Sequence, residues 1–294
     1  MAASAATAHR PARADVEPAS APDPSPPPAA PHASGLTLRI LSSLVLIPVA
    51  LAAVWFGSPY LPALVALAGL GMGWEWARMS GLRSPVAVLL AIAAPFIAAC
   101  AMAVGKDDAA WALAVILSCC VVLAERDLRR RLWGGVGTLW IALPCAAILW
   151  LDQGAGGRER IIYLFAVVWS SDIGAYAFGR LIGGPKLAPA LSPNKTWAGA
   201  IGGLLCAMVV GGLGAAAVTS DSLALLLAIS AFVAIAAQLG DLAESFAKRC
   251  FNVKDSGALI PGHGGLLDRL DSLLLASFAL AVALAVATAG RAPS

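Results

Sequence analysis

Long apolar stretches separated by short polar patches dominate the chain from residue 36 onward. A helix needs about 20 apolar residues, with a range of roughly 17–25, to cross the hydrocarbon core of a bilayer. The pattern therefore predicts about nine membrane-spanning helices, or eight, since the fourth is short and the second is rich in glycine. The predicted spans are Leu36–Phe56, Leu61–Ala77, Val86–Val104, Trp111–Leu123, Leu132–Leu151, Ile161–Leu181, Trp197–Val218, Leu223–Leu239 and Leu266–Ala289.

The first 35 residues follow a different pattern. They hold eight of the 19 prolines and contain no apolar run of the kind found in a signal peptide. Proline removes a backbone donor and fixes φ, so the run Pro24-Ser25-Pro26-Pro27-Pro28 is incompatible with a helix. The sequence thus predicts a disordered Pro/Ala-rich cytoplasmic tail over residues 1–35 and one membrane domain over residues 36–290.

Composition agrees with a protein whose main solvent is lipid. The 294 residues are 60% hydrophobic and 13% charged, with a mean hydropathy of +0.82. Soluble domains carry about 25% charged residues, so this chain has too few to cover a globule of its size. A soluble enzyme, a disordered chain and a fibrous repeat are excluded, and the net charge of +3 does not suggest a nucleic-acid partner.

The distribution of basic residues sets the expected orientation. With nine spans and the tail in the cytoplasm, 16 of the 20 Lys and Arg residues fall on the cytoplasmic side. This is the bias of the positive-inside rule, and removing one span would invert every later loop. The sequence therefore predicts an all-α polytopic integral membrane protein whose N-terminus is cytoplasmic.

Polar residues at membrane depth point to a functional site. Asp172 lies inside the predicted span Ile161–Leu181, where an ionisable group costs about 2.5–3.5 kcal/mol and usually faces the protein interior. In the loop that follows, Lys195 and Thr196 precede the next helix, and such groups at a helix N-terminus favour phosphate binding. Two alternatives stay open: Asp172 as a structural carboxylate paired with Arg180 or with another helix, and the loop as an anchor for lipid headgroups.

A second polar segment covers residues 238–271. Asp268 and Asp271 share one face of the last predicted helix. Carboxylates suit Mg²⁺, which binds through one or two of them plus substrate phosphates. The segment thus predicts a Mg²⁺-dependent phosphoryl or nucleotidyl transfer site that faces the cytoplasm. Four more polar side chains share one helix face, at i, i+3, i+4 and i+7: Asp241, Glu244, Ser245 and Lys248.

These segments resemble the signature of the phosphatidate cytidylyltransferases, also called CDP-diacylglycerol synthases. The resemblance covers about residues 36–290. The long and irregular match consists of Ser245-Phe-Ala-Lys248-Arg249, Lys254-Asp255-Ser-Gly, Pro261-Gly-His263-Gly-Gly and Asp268-Arg269-Leu-Asp271. Shorter matches are Asp172-x-x-Ala-Tyr176, Ser192-Pro-Asn-Lys195-Thr196-Trp197 and, more weakly, Trp74-Glu75-Trp76.

The resemblance implies an activity, a location and an assembly. CTP and phosphatidic acid would react to give CDP-diacylglycerol and pyrophosphate at a site open to both cytoplasm and lipid. The enzyme would be a multi-pass homodimer of the inner (plasma) membrane that depends on Mg²⁺, with a second, monovalent cation left open. The active-site half would lie at about residues 161–271.

The resemblance also implies roles for particular residues. The family's metal ligands fall on the Gly-Asp-Leu and Asp-Arg-x-Asp elements, so Asp241 and Asp268, with Asp271, are the expected metal ligands. Asp241, Lys248 and Asp268 are the expected catalytic residues. The expected substrate-binding residues are Asp172, Ser192, Lys195, Thr196, Ser245, Arg249, Lys254, His263 and Arg269.

Two other classes of protein remain as alternatives. An ion-coupled transporter could use Asp172 and Asp241 as a coupling site, but the sequence has no internal repeat and its basic loops oppose a cation path. A related lipid enzyme, such as a CTP-dependent lipid kinase or an ether-lipid cytidylyltransferase, would share much of the chemistry. A CDP-alcohol phosphotransferase is disfavoured because its repeated Asp-rich helical motif is missing.

Overall fold

The computed structural model describes residues 35–217, 219 and 221–289, with side chains over 42–217, 219 and 221–288. Residues 1–34 of the predicted tail lie outside the described residues. The elements, in chain order, are α1 (Gly35–Phe56), α2 (Tyr60–Met79), α3 (Pro85–Ala103), α4 (Asp107–Ala124), α5 (Leu128–Asp152), α6 (Gly157–Leu181), β1 (Lys186–Ala188), β2 (Ser192–Thr196), α7 (Trp197–Ala207), a π-helical stretch (Met208–Leu213), α8 (Gly214–Ala216), α9 (Leu223–Cys250) and α10 (Leu267–Ala289).

The described part of the chain is an all-α membrane protein with one small hairpin. Seven of its helices are long and apolar enough to cross a membrane: α3, α4, α5, α6, the continuous segment Trp197–Ala216, α9 and α10. A shorter apolar stretch, Ser42–Phe56, belongs to α1. Each of the nine predicted spans overlaps a helical segment, but α1 and α2 are not among the seven described helices that are long and apolar enough to cross. The segment after Leu239 continues as helix to Cys250, so α9 carries both the predicted span and the predicted polar face.

The hairpin is the main departure from the predicted architecture. β1 and β2 pair antiparallel, with Lys186 opposite Thr196 and Ala188 opposite Ser192. The sequence predicted only a loop here, because a three-residue strand is too short to produce a periodic pattern. Gly183 enters the hairpin with a φ of 67°, which glycine adopts without strain. The hairpin matters because it delivers its last residues to the start of α7.

Helices α6 and α7 pack closely along a stripe of small residues. A Cβ added to Gly203 would lie 2.6 Å from the carbonyl oxygen of Ser171, and one added to Gly199 would lie 2.7 Å from that of Ala175. The Gly199/Gly203 pair therefore packs α7 against α6 of the same chain, as small residues do in membrane helices. This contact holds the start of α7 beside the C-terminal half of α6.

An aromatic cluster fixes α2 against α5 and the end of α9. Trp76 is 1% exposed and donates its indole N–H to the carbonyl oxygen of Trp133 at 2.9 Å. The rings of Trp76 and Phe251 meet edge to face, with centroids 6.2 Å apart. Gly137 makes room for this indole, since a Cβ there would overlap the ring of Trp76. This packing fixes α2 and therefore the direction in which the neighbouring Glu75 points.

Candidate active site

The junction between the hairpin and α7 carries the first polar group of the site. Thr196 is the N-cap of α7, and its Oγ1 accepts a hydrogen bond from the N–H of Gly199 at 3.1 Å. The predicted helix start at Thr196 is therefore confirmed. The neighbouring Lys195 extends toward α9, where its Nζ lies 2.5 Å from Oδ2 of Asp241. Both side chains are about one-third exposed, so the ion pair is accessible to solutes.

This ion pair lines a cavity of about 680 Å³ between α6, the hairpin, α7 and α9. Asp172 lies on the α6 wall, within electrostatic range of both Lys195 and Asp241. Arg180 does not pair with Asp172 but donates to the hydroxyl of Tyr176 at 2.9 Å. Four of the predicted site residues therefore meet at one cavity: Asp172, Lys195, Thr196 and Asp241.

One amide in the cavity wall was not singled out from the sequence. Gln238 donates through Nε2 to the carbonyl oxygen of Ala200 at 3.1 Å and to Oγ of Ser171 at 3.3 Å. A backbone carbonyl only accepts hydrogen bonds, so this contact fixes the orientation of the amide. Gln238 thereby ties α9 to α6 and α7 beside the cavity.

A second polar group lies one to two turns further along α9. Lys248 places its Nζ 2.5 Å from Oε2 of Glu244 and 2.8 Å from Oδ1 of Asp268. Glu244 is 1% exposed, and its Oε1 has no hydrogen-bond partner among the described residues. A buried carboxylate without a partner is costly, and the ammonium of Lys248 supplies that partner for Glu244.

Asp268 is held by backbone donors as well as by Lys248. Its carboxylate accepts from the N–H of Ser256 at 3.0 and 3.1 Å and from the N–H of Gly265 at 2.9 Å. The segment between α9 and α10 therefore wraps around this side chain, which is 5% exposed. The backbone contacts fix Asp268 in one orientation toward α9.

Asp271 follows Asp268 by one turn of α10 and completes the acidic group. Gly240 lets α10 approach α9 here, because a Cβ at that position would lie 2.5 Å from the carbonyl oxygen of Asp271. The side chain of Asp271 lies within electrostatic range of Asp241, Lys195 and Lys248. The two polar groups therefore form one continuous site.

The carboxylate of Glu75 also contributes to the site, although the sequence indicated it only through the weak match at Trp74-Glu75-Trp76. Glu75 on α2 is fully buried, at 0% exposure, and contacts the segment that holds Asp268. A signal for it exists in the sequence, since Glu75 is an ionisable residue inside the apolar run Leu61–Ala77, as Asp172 is in its own run.

Other predicted substrate-binding residues lie around this site. His263 contacts α1, where Oγ of Ser42 lies 2.6 Å from its Nδ1, and its carbonyl oxygen accepts from Arg269 Nη2 at 2.7 Å. Within the described residues, four others lie outside the wall of the cavity: Ser192 at the start of β2, Ser245 partly buried on α9, and the exposed Arg249 and Lys254.

The arrangement defines a class of protein. One lysine–carboxylate pair borders a cavity among apolar helices, and a second lies further along α9. This arrangement suits an enzyme that brings phosphate-bearing substrates together at a membrane. The chain belongs to the cytidylyltransferase family, whose sequence model matches residues 37–287.

Several relatives carry a more specific name. The phosphatidate cytidylyltransferase of Brucella suis biovar 1 is 37% identical over 246 residues, which cover 83% of this chain and 91% of the relative. That of Rickettsia bellii is 34% identical over 250 residues, 82% of this chain and 87% of the relative. That of Staphylococcus haemolyticus is 51% identical over 119 residues, 40% and 46% of the two chains.

Proposed function

We propose that this protein transfers the cytidylyl group of CTP to phosphatidic acid, which gives CDP-diacylglycerol and pyrophosphate for phospholipid synthesis. The observation that carries the proposal is the Lys195–Asp241 ion pair, which borders a cavity of about 680 Å³ among apolar helices. Family membership and the named relatives support the same reaction. One substrate reaches such a site laterally from the bilayer and the other reaches it from water.

The reaction needs positioning and charge neutralisation more than acid–base chemistry. A phosphate oxygen of the lipid attacks the α-phosphorus of CTP, and a new P–O bond forms. The bond from the α-phosphorus to the bridging oxygen breaks, and pyrophosphate leaves with the electron pair. The attacking oxygen is already ionised, so no strong base is required and His263 is assigned as a contact. Lys195 and Lys248 supply positive charge to the phosphates.

The site also fits Mg²⁺. Among the described residues no three His, Cys, Asp or Glu side chains form a ready set of ligands. Mg²⁺ nevertheless binds through one or two carboxylates plus phosphates and water, and Asp241 and Asp271, which lie within electrostatic range of each other, supply oxygens of that kind. Asp241, Asp268 and Asp271 would hold it, and bound Mg²⁺ would stabilise charge on the phosphates. A second, monovalent cation remains open.

The proposal extends to orientation and assembly. Nine crossings with a cytoplasmic N-terminus would put 16 of the 20 Lys and Arg residues on the cytoplasmic side. The active site would then face the cytoplasm from the plasma membrane. The bacterial relatives support that membrane, and the family resemblance supports a homodimer.

The orientation predicts which positions are accessible from each side of the membrane. In a variant whose six native cysteines are replaced, Asn194→Cys and Lys254→Cys should react with a membrane-impermeant maleimide only in inside-out vesicles. Ala155→Cys, which is exposed between α5 and α6, should react only in right-side-out vesicles. Labelling of all three positions from the same side would contradict the proposed topology.

The activity itself is tested with purified protein, Mg²⁺, phosphatidic acid and CTP that is labelled at its α-phosphate or at its γ-phosphate. Label at the α-phosphate should appear in CDP-diacylglycerol, whereas label at the γ-phosphate should appear in pyrophosphate. A CTP-dependent lipid kinase would instead transfer the γ-label to the lipid and release CDP. A transporter would form neither product, and either of these results would reject the proposed reaction.

A further inference from the structure

Glu75 joins α2 to a part of the chain that is distant in sequence. Its Oε1 accepts from the N–H of Leu266 and its Oε2 from the N–H of Leu267, both at 2.9 Å. Oε2 also accepts from the hydroxyl of Ser256 at 3.2 Å. A buried carboxylate is tolerated when such donors satisfy it, and these three come from the segment before α10 and from its first residue.

The same short segment holds Asp268. Ser256 donates its hydroxyl to Glu75 and its backbone N–H to Asp268. The N–H of Gly265 goes to Asp268, and the next N–H along the chain, that of Leu266, goes to Glu75. The two carboxylates therefore share one set of neighbouring donors, and a displacement of the segment from Glu75 also displaces the donors of Asp268.

Two glycines allow the segment to close around Glu75. A Cβ at Gly257 would lie 2.4 Å from Oε1 of Glu75, and one at Gly265 would lie 2.8 Å from Oε2. Both distances are shorter than real Cβ contacts allow. Any larger residue at either position would therefore move the segment away from the carboxylate.

We infer that Glu75 is a positioning residue for cytidylyl transfer. From α2 it fixes the segment 256–267, and through that segment it holds the carboxylate of Asp268 toward Lys248. Glu75 is itself fully buried, so it acts through these contacts. The inference rests on the proposed catalytic role of Asp268.

The chain offers a matched control for a buried carboxylate. Glu125, after α4, is 5% exposed and accepts from the N–H of Arg83 at 2.8 Å and of Ser84 at 3.1 Å. Its backbone donors, that of Arg83 first, lower the pKa of Glu125 to about 2, so it is ionised throughout any assay range. Glu125 resembles Glu75 in chemistry but contacts neither Asp268 nor its segment.

The test compares Glu75→Gln with Glu125→Gln in the full-length protein. Glutamine keeps the shape but turns one acceptor into a donor, which then faces a backbone N–H. A small misplacement of a reacting group can cost as much as about 100-fold in rate, so kcat of Glu75→Gln should fall about 10- to 100-fold. KM for CTP should stay within about threefold, because the misplaced group acts in the transition state. Hydrogen exchange of the amides at 265–267 should become faster, and Glu125→Gln should keep kcat within about twofold.

A second variant tests the contact from the other side. Gly257→Ala leaves Glu75 intact but pushes the segment away from it, so kcat should again fall at least about fivefold. Gly214→Ala is its control, because a Cβ there has nothing within 4 Å. If Glu75→Gln does not fold, the Gly257→Ala pair decides the question.

The outcomes separate this inference from the proposed site. A kcat within twofold of wild type in Glu75→Gln or in folded Gly257→Ala, while Asp268→Asn is inactive, would overturn the positioning role alone. A raised KM with unchanged kcat would also overturn it. If Asp268→Asn is active too, the assignment of the catalytic carboxylate is wrong, and the inference falls with it.

Discussion

Asp268→Asn is expected to lower kcat by at least about 10³, or about 4 kcal/mol of transition-state stabilisation, while the protein still inserts and folds. The carboxylate lies 2.8 Å from Nζ of Lys248 and accepts from Ser256 and Gly265. Asparagine has one acceptor oxygen, so its NH₂ group would face one of these donors. It also removes the negative charge that we assign to Mg²⁺ binding. Steady-state kinetics and thermal unfolding of the purified variant measure the two effects separately.

Asp127→Asn is the matched control for that substitution. Asp127 is the N-cap of α5, where its Oδ1 accepts from the N–H of Arg130 at 3.0 Å. Asparagine is as good an N-cap as aspartate, so both activity and stability should be unchanged. If Asp268→Asn retains more than about a tenth of wild-type kcat, Asp268 does not belong to the metal site. The same limit applies to Asp241→Asn.

The two lysines should differ in their kinetic effects. Lys195→Ala should mainly raise KM for one substrate, because we assign its partly exposed ammonium to a phosphate contact made in the ground state and the transition state alike. Lys248→Ala should mainly lower kcat, by about 10² or more, because this partly buried ammonium lies against Asp268. Lysine acts here as a point charge, so each Lys→Arg variant should keep part of the activity. Lys186→Ala, in the same hairpin as Lys195, is the control and should resemble wild type.

Loss of Lys248 also leaves Glu244 buried without its partner, which lowers stability. The double variant Glu244→Gln/Lys248→Ala replaces that buried carboxyl group with a neutral amide. It should regain thermal stability relative to Lys248→Ala but not regain kcat. Recovery of both would mean that Lys248 is needed only for folding. CDP-diacylglycerol formed at the wild-type rate by both Lys195→Ala and Lys248→Ala would refute the assigned roles of the lysines.

The helices and one half of the site follow from local pattern. Apolar runs of spanning length locate each helix, and the i, i+3, i+4, i+7 spacing of Asp241 to Lys248 predicts the polar face that α9 presents. Thr196 could be predicted as a helix start because an N-cap hydroxyl acts within three residues of itself. These features depend on residues that are close in sequence, so they can be predicted from one sequence alone.

The rest of the site depends on contacts that cross the chain. Lys195 pairs with Asp241, 46 positions away, and Glu75 bonds to Leu267, 192 positions away. No local spacing encodes such partners, because they arise from how α2, α9 and α10 pack. The hairpin was missed for a related reason, since its strands are stabilised by their pairing and by the helix that follows.

Each lysine of the site carries its own counterion within the protein: Asp241 beside Lys195, and Glu244 and Asp268 beside Lys248. An incoming anion must therefore compete with a carboxylate that is already in place. Chloride or a single inorganic phosphate gains little binding free energy from that exchange, because its contact with the lysine only replaces a lysine–carboxylate contact of similar strength. A ligand with several linked phosphates can exchange at both lysines and meets the entropic cost of binding only once. With both lysines assigned to substrate phosphates as we propose, these internal counterions would disfavour the common small anions of the cell.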